Sequence, residues 1–479
     1  MANMKSLAKD TAIYGMSSIV GRFLNYMLVP LYTNVIPASE GGYGVVTNLY
    51  AYVALLLVIL TFGMETTFFR FANKEGENAD TVFSTSIAMI SVLCAAFLAM
   101  VGICITPLGN ALGYADHHDY ILMMAVVVSL DALQAIPFSL LRYQKKALKF
   151  AGLKMLFIVF NISLNLIYFL LLGHHDVWGI FMLNLVCTSL ITFFFIPELR
   201  SIKWKVDLQL LRRMLSYSWP LLILGIAGIL NQTADKMIFP LVYPEQGEGT
   251  VQLGIYGACV KVAMIMAMIT QAFRYAYEPF VFAQSKDKDA KQTYAVAMKY
   301  FLIFTLLAFL CVVGYMDILK YIIGSGYREG IRVVPIVMAA EIMMGIYFNL
   351  SFWYKLIDKT IWGAWFSLAG CTVLILVNVL LIPRYGYMAC AWGGVAGYGT
   401  AMVLSYIVGQ KKNPINYPMR SMAVYVALTA AFYAVMTLLP ESWPAVARIA
   451  VNTVLILLFV GHIVAHDFPL SGLLHRLRR

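Results

Sequence analysis

Six ionisable side chains stand well inside long apolar stretches of this 479-residue chain: Arg22, Asp131, Asp235, Lys236, Lys261 and Glu341. Two further pairs, Glu65 with Arg70 and Arg274 with Glu278, lie near the ends of such stretches. A charge held away from water is costly unless it is compensated, so each of these groups needs a partner or a use. Arg22 has no acidic neighbour three or four residues away. Two chemistries fit it. Its forked guanidinium clamps phosphate oxygens, or it pairs with a carboxylate on another helix, Asp131 or Glu341. Lys261 is the matching cation in the second half, with Arg274 a further anion-binding candidate. Asp131 and Glu341 are carboxylates suited to exchanging a proton or holding Na⁺. Asp235 and Lys236 are adjacent and read as a structural ion pair. Glu65 and Glu278 read as gate or helix-capping groups. Tyr14, Tyr26 and Tyr50 share stretches with these polar residues and are the aromatic candidates for lining a cavity.

The elements that position them follow from composition. Hydrophobic residues make up 61% of the chain and charged residues 12%, against about 25% in a soluble domain. Mean hydropathy is +0.78. This excludes a cytosolic enzyme, a disulfide scaffold and a disordered chain, and runs of this length exclude a membrane β-barrel. Crossing a bilayer takes about 20 apolar residues. Fourteen stretches qualify: 10–36, 42–68, 82–106, 118–141, 150–172, 176–197, 214–241, 252–280, 294–316, 331–354, 361–382, 387–408, 420–438 and 446–466. The expectation is an all-α polytopic membrane protein. Of the 35 Lys and Arg, 25 fall in connections on the side of both termini and 5 (Lys320, Arg328, Arg332, Arg384 and Arg448) on the other. Both termini are therefore expected in the cytoplasm. The same asymmetry accounts for the net charge of +11 without nucleic-acid binding, because no basic patch sits on a soluble domain.

Other chemistries find little support. The seven Cys have no C-x-x-C spacing, and the pairs His117–His118 and His174–His175 make no metal site alone. No H-E-x-x-H, G-x-S-x-G or Walker A sequence is present, and no connection is long enough to be a domain. Asp287 and Asp289 form a D-x-D, but within the Lys-rich run SKDKDAK, which reads as a solvated loop. The expectation is no metal, no cofactor and no enzyme.

A repeat organises the chain. LVPLYTNV (28–35) and FPLVYP (239–244) each carry a proline near the end of a stretch; Tyr43-Gly44 and Tyr256-Gly257 then open the next one. Glu65 follows Tyr43 by 22 residues, and Glu278 follows Tyr256 by 22. An ordered set of matches implies a six-span repeat, in parallel orientation because six is even. Transporters built this way bind their substrate between the halves. Gly393-x-x-x-Gly397 and Gly225 with Gly228 supply small faces for helix packing.

The order Pro30-Leu31, Tyr43-Gly44 and FGMETTFFRF (62–71) resembles the bacterial polysaccharide-export flippases. IYGACVKVAMIMAMITQAFRYAYEPFVFAQSKDKDAK (255–291) resembles the matching segment of the oligosaccharide and lipopolysaccharide-precursor flippases. Both belong to the multidrug/oligosaccharidyl-lipid/polysaccharide exporter superfamily. The resemblance implies two six-helix lobes in a V, at 1–205 and 206–410, around a central cavity. Residues 411–479 would add two helices beyond twelve, as in the lipid II flippases. It also implies a cargo of polyprenyl-diphosphate-linked oligosaccharide, with membrane lipids and a coupling Na⁺ or H⁺ as the other partners, and a place in the bacterial inner membrane. In that setting Arg22, Lys261 and Arg274 would face the cargo, and Asp131 and Glu341 the ion. A multidrug or cation antiporter of the same superfamily is the alternative; its cavity would be dominated by carboxylates and aromatics. A membrane glycan polymerase or ligase is a third, but such enzymes carry a large external loop.

Overall fold

The computed structural model describes residues 26–200, 204–283, 290–357, 359–440 and 442–467, and every regular element among them is helical. Most of the first predicted stretch, with Tyr14 and Arg22, lies outside the described residues; α1 (Leu28–Val35) is its end. The other thirteen stretches all appear as helices long and apolar enough to cross a membrane. They begin with α2 (Gly42–Thr61) and α3 (Met64–Ala72), which share one span, then α4 (Ala79–Ile103) with the short α5 (Ile105–Leu112). Next come α6 (His118–Tyr143), α7 (Ala147–Leu166), which closes on a π turn at Ile167–Leu171, and α8 (Val177–Phe193) with the short α9 (Ile196–Arg200). Two long helices follow, α10 (Leu208–Val242) and α11 (Gln246–Ala283). After them come α12 (Ala290–Gly314), the short α13 (Met316–Leu319) and a 3₁₀ segment at Ser325–Val333. That segment leads into α14 (Val334–Leu350) and the short α15 (Phe352–Leu356). The chain ends with α16 (Ile361–Tyr385), α17 (Tyr387–Lys412), α18 (Met419–Leu438) and α19 (Ala445–His466).

Local chemistry sets several boundaries. Asn78 caps α4 by accepting from the Asp80 and Thr81 amides at 2.8 and 3.3 Å; Asp176 caps α8 and Asp207 caps α10 in the same way. Between α2 and α3 both Phe62 (φ 51°) and Gly63 (φ 67°) are left-handed. Glycine adopts this freely, whereas Phe62 is strained, so the chain breaks here and starts α3 afresh. The break puts Glu65 in the first turn of α3, where the helix dipole favours an anion. Polar side chains along the spans return their hydroxyls to carbonyls four residues back, as Thr33, Ser86, Thr305 and Thr429 do. Such bonds keep these hydroxyls paired where water is absent.

The described chain packs as two compact units. One takes in the described residues up to Ala258 together with Ile375–Cys390; the other takes in Cys259–Leu374 and the residues from Ala391 onward. The first is built on Met64, Phe68, Phe83, Val128, Ile136 and Met214, which join α3, α4, α6 and α10. A second cluster, Phe138, Phe150, Ile191 and Phe195, ties α7 and α8 to α6. In the second unit, Tyr347, Trp353, Tyr354 and Phe366 form an aromatic core. There α16 and α17 approach so closely that a Cβ on Gly397 would lie 2.8 Å from the Gly370 carbonyl oxygen. The last two helices are fastened to the α12–α13 segment at both ends. Lys299 and Tyr425 both donate to Asp467, and Arg448 donates to Asp317 at 2.8 Å.

Candidate functional site

A polar stripe runs through the first unit. Asn184 on α8 donates to the Tyr50 hydroxyl on α2. Thr188, one turn on, donates to Asn184 Oδ1 at 3.2 Å. Gln134 on α6 donates to the Thr188 carbonyl at 3.0 Å and to Thr192 Oγ1 at 2.8 Å. Asp131 sits one turn from Gln134 and is half-buried, and its charge reaches Tyr50. The positive charge facing Asp131 is Lys154 of α7, which faces Glu65 as well. Arg142 adds a second cation beside Glu65. The Lys154 ammonium lies 4.0 Å from the centre of the Phe138 ring, a cation–π contact that offsets part of its lost hydration. The fold thus sets two of the sequence candidates, Asp131 and Glu65, near one cation that the sequence analysis does not single out, Lys154, with Tyr50 beside Asp131. The signal was present: Lys154 lies inside the predicted stretch 150–172. Asn184, Thr188 and Thr192 were missed too, although their spacing of four marks one helical face.

A second polar group touches α2 two residues earlier, at Asn48. The Lys236 ammonium donates to Asp235 at 2.9 and 3.0 Å and to the Gln232 carbonyl at 3.0 Å. Tyr256 donates to Asp235 Oδ2 at 2.8 Å. Asn48 bonds the Lys236 carbonyl at 2.8 Å and accepts from Tyr114 at 2.8 Å. The Asp235–Lys236 pair is therefore part of a six-residue knot.

The helices that carry the two Tyr-Gly motifs, α2 and α11, pack closely together beside it. A Cβ on Gly44 would lie 1.9 Å from the Thr250 carbonyl oxygen, and one on Gly257 would lie 2.3 Å from Thr47 Oγ1. Glycine is required where two backbones approach this closely.

In the second unit Lys261 and Glu341 are half-buried on α11 and α14, and each is already engaged by a neighbouring group. The Arg274 guanidinium lies 5.0 Å from the centre of the Phe348 ring and lines a cavity of about 10 Å³ with Thr270 and Asn349. That volume is about that of one water, and the Thr270 hydroxyl there has no hydrogen-bond partner among the described residues. Tyr26 is half-buried just before α1. The Glu278 side chain, like Tyr14, Arg22, Asp287 and Asp289, lies outside the described residues. No group of three metal-binding side chains occurs among the described residues.

This arrangement matches known proteins. A family model for polysaccharide biosynthesis proteins covers residues 39–332. A protein of the Haemophilus influenzae Lsg locus is 22% identical in an alignment of 397 residues that covers 79% of this chain and 94% of that one. Among solved structures, the lipid II flippase MurJ in its inward closed conformation superposes with a TM-score of 0.74 at 15% identity, covering 94% of this chain and 98% of that one. An inward-facing multidrug transporter of the MATE family, in the MOP superfamily, superposes with a TM-score of 0.66 at 13% identity, covering 85% and 96%. At these identities the solved structures speak for the fold, a multi-pass helical membrane transporter fold. The family match spans well over half of the sequence, so the chain belongs to the polysaccharide biosynthesis protein family, on the fold shared by MurJ and the MATE transporters.

Proposed function

We propose that the protein is a flippase that moves a lipid-linked oligosaccharide from the cytoplasmic to the external leaflet for cell-surface polysaccharide synthesis. The family match over residues 39–332 carries this reading, and the MurJ-like fold supports it. No bond is made or broken in the cycle, so the protein is not an enzyme. The reading places six-helix lobes at 1–205 and 206–410, with 411–479 as an addition, and has them alternate access to the cargo. Arg22, Lys261 and Arg274 bind the diphosphate, with Tyr14, Tyr26 and Tyr50 beside the sugars. Asp131 and Glu341 take the coupling ion. Asp235 with Lys236, and Glu65 with Glu278, act in gating. The MATE likeness favours a second reading, ion-coupled export of drugs or cations.

Purified protein in vesicles should flip a fluorescent polyprenyl-diphosphate oligosaccharide. Lys261→Ala and Arg22→Ala should each slow flipping about tenfold to a hundredfold at normal abundance, the equivalent of ~1.5–3 kcal/mol for a charge-assisted contact. Unchanged flipping in both variants would remove the diphosphate clamp. Proton-driven drug export without lipid flipping would establish the second reading instead.

The reading also fixes orientation, with both termini on the cytoplasmic side of the bacterial inner membrane. Cysteines placed at Ala115 and Gly247 should react with an impermeant thiol reagent added outside cells, and cysteines at Lys146 and Lys288 should not. Outside labelling at Lys146 would invert the topology.

A further inference from the structure

The second unit holds a cavity of about 300 Å³, at the low end of the range for ligand pockets, that the proposed transport cycle does not use. It lies where α12 and α18 end, beside the start of α19. Val313, Ile331, Pro335, Met436 and Leu439 give it apolar walls, and Arg332, Arg448, Asp317 and Asn452 give it a polar head. The balance of charge is positive. Asp317 is shared by Arg448 at 2.8 Å and Lys320 at 2.9 Å, while Arg332 adds a third cation. Arg332 is exposed, and its Nε donates to the Glu329 carbonyl at 3.5 Å.

Two polar atoms are left over. Arg448 Nε and Asn452 Oδ1 are buried without a hydrogen-bond partner among the described residues. Asn452 is held in place, because its Nδ2 donates to the Gly314 carbonyl at 2.9 Å. A buried, unpaired guanidinium N–H is costly, and an anion is its natural complement. The placement of charge points the same way. Only five Lys and Arg fall in connections on this side of the chain, and Lys320, Arg332 and Arg448 are three of them. A charge bias that otherwise strips basic residues from this side has gathered them at one cavity.

We infer that this cavity binds the phosphate of an anionic membrane lipid, with Arg448 and Arg332 on the phosphate and the apolar walls against the start of the acyl chains. Free phosphate offers the same head chemistry but would leave those walls without a ligand group. The site therefore gives the last two helices a role as a lipid-binding edge of the second unit.

Native mass spectrometry of the full-length protein in detergent tests this, with phosphatidylglycerol, phosphatidylcholine and orthophosphate as probes. Phosphatidylglycerol should give retained adducts well above phosphatidylcholine. Arg332→Gln, at an exposed position, should weaken them at least fivefold. The double variant Asp317→Asn/Arg448→Gln removes the Arg448–Asp317 pair together, leaves Lys320 with its partly exposed charge in reach of water, and should weaken them as much. Equal adducts in wild type and both variants would overturn the site. Full displacement of the lipid by millimolar orthophosphate would reassign it to free phosphate and overturn the lipid assignment. Flipping is not the readout, so failure here leaves the transport proposal standing.

Discussion

Lys154→Met is expected to cut the amount of folded protein, by about 1–3 kcal/mol, the cost of leaving partly buried charged groups uncompensated. Methionine keeps the length and the apolar stem but removes the charge that faces both Asp131 and Glu65. Asp131 and Glu65 would each lose that attraction, while Glu65 keeps Arg142 nearby. Adding Asp131→Asn removes the worse of the two uncompensated anions and should restore much of the loss. The measurement is the melting temperature in detergent together with membrane abundance. A Lys154→Met protein that melts like wild type would show that the cluster is not held by this cation. The Asp131→Asn single variant separates structure from transport. If Asp131 takes the coupling ion, its replacement leaves abundance near normal and removes the dependence of flipping on the ion gradient. Flipping that still follows the gradient would take Asp131 out of the cycle.

Gly44→Ala should be nearly as severe, although it adds one methyl group. The new carbon would lie 1.9 Å from the Thr250 carbonyl oxygen, inside any tolerable contact, and the obstacle is backbone rather than a side chain that can turn aside. The first turns of α2 and α11 must separate to admit it. Overpacking of this kind costs about 1–3 kcal/mol where neighbours yield, and the fixed carbonyl puts Gly44 at the upper end. Gly102, with nothing within 4 Å of its ideal Cβ, is the control: Gly102→Ala should melt like wild type or slightly higher. Equal melting of both variants would mean that the approach at Gly44 is not tight in the membrane. Under alternating access the same clash becomes a bias. It disfavours the state in which these ends touch, so a cysteine at Thr47 should become more reactive in Gly44→Ala than in the parent.

Much of this was legible in the sequence, for physical reasons. A bilayer demands long apolar helices, so thirteen described spans follow the predicted stretches closely; 361–382, for example, is Ile361–Tyr385. The matching Tyr-Gly pairs are visible as a repeat, yet the contacts of Gly44 with Thr250 and of Gly257 with Thr47 are not, because sequence spacing does not say which helices touch. The Asp235–Lys236 pair could be read from adjacency. Its bonds to Tyr256 and, through the Lys236 carbonyl, to Asn48 depend on how α2, α10 and α11 cross. Lys154 was hidden by its neighbours: beside Lys145, Lys146 and Lys149 it reads as one more loop cation, and only the start of α7 at Ala147 turns it inward. The cavity bounded by α12, α18 and α19 leaves no local motif, since Asp317 and Arg448 are 131 residues apart.

Helix α10 is longer than a bilayer needs. Its 35 residues extend about 52 Å at 1.5 Å per residue, against a hydrocarbon layer of about 30 Å. Pro220 interrupts its hydrogen-bond ladder about a third of the way along, and prolines are where helices bend. The rod beyond Pro220 is a lever about 33 Å long, so a bend of roughly 10° there swings its tip by about 6 Å. The knot of Asp235 and Lys236 rides on that arm, about 22 Å from the pivot, and would sweep about 4 Å. An adjustment too small to disturb the core around Met214 is in this way magnified into a displacement longer than a hydrogen bond.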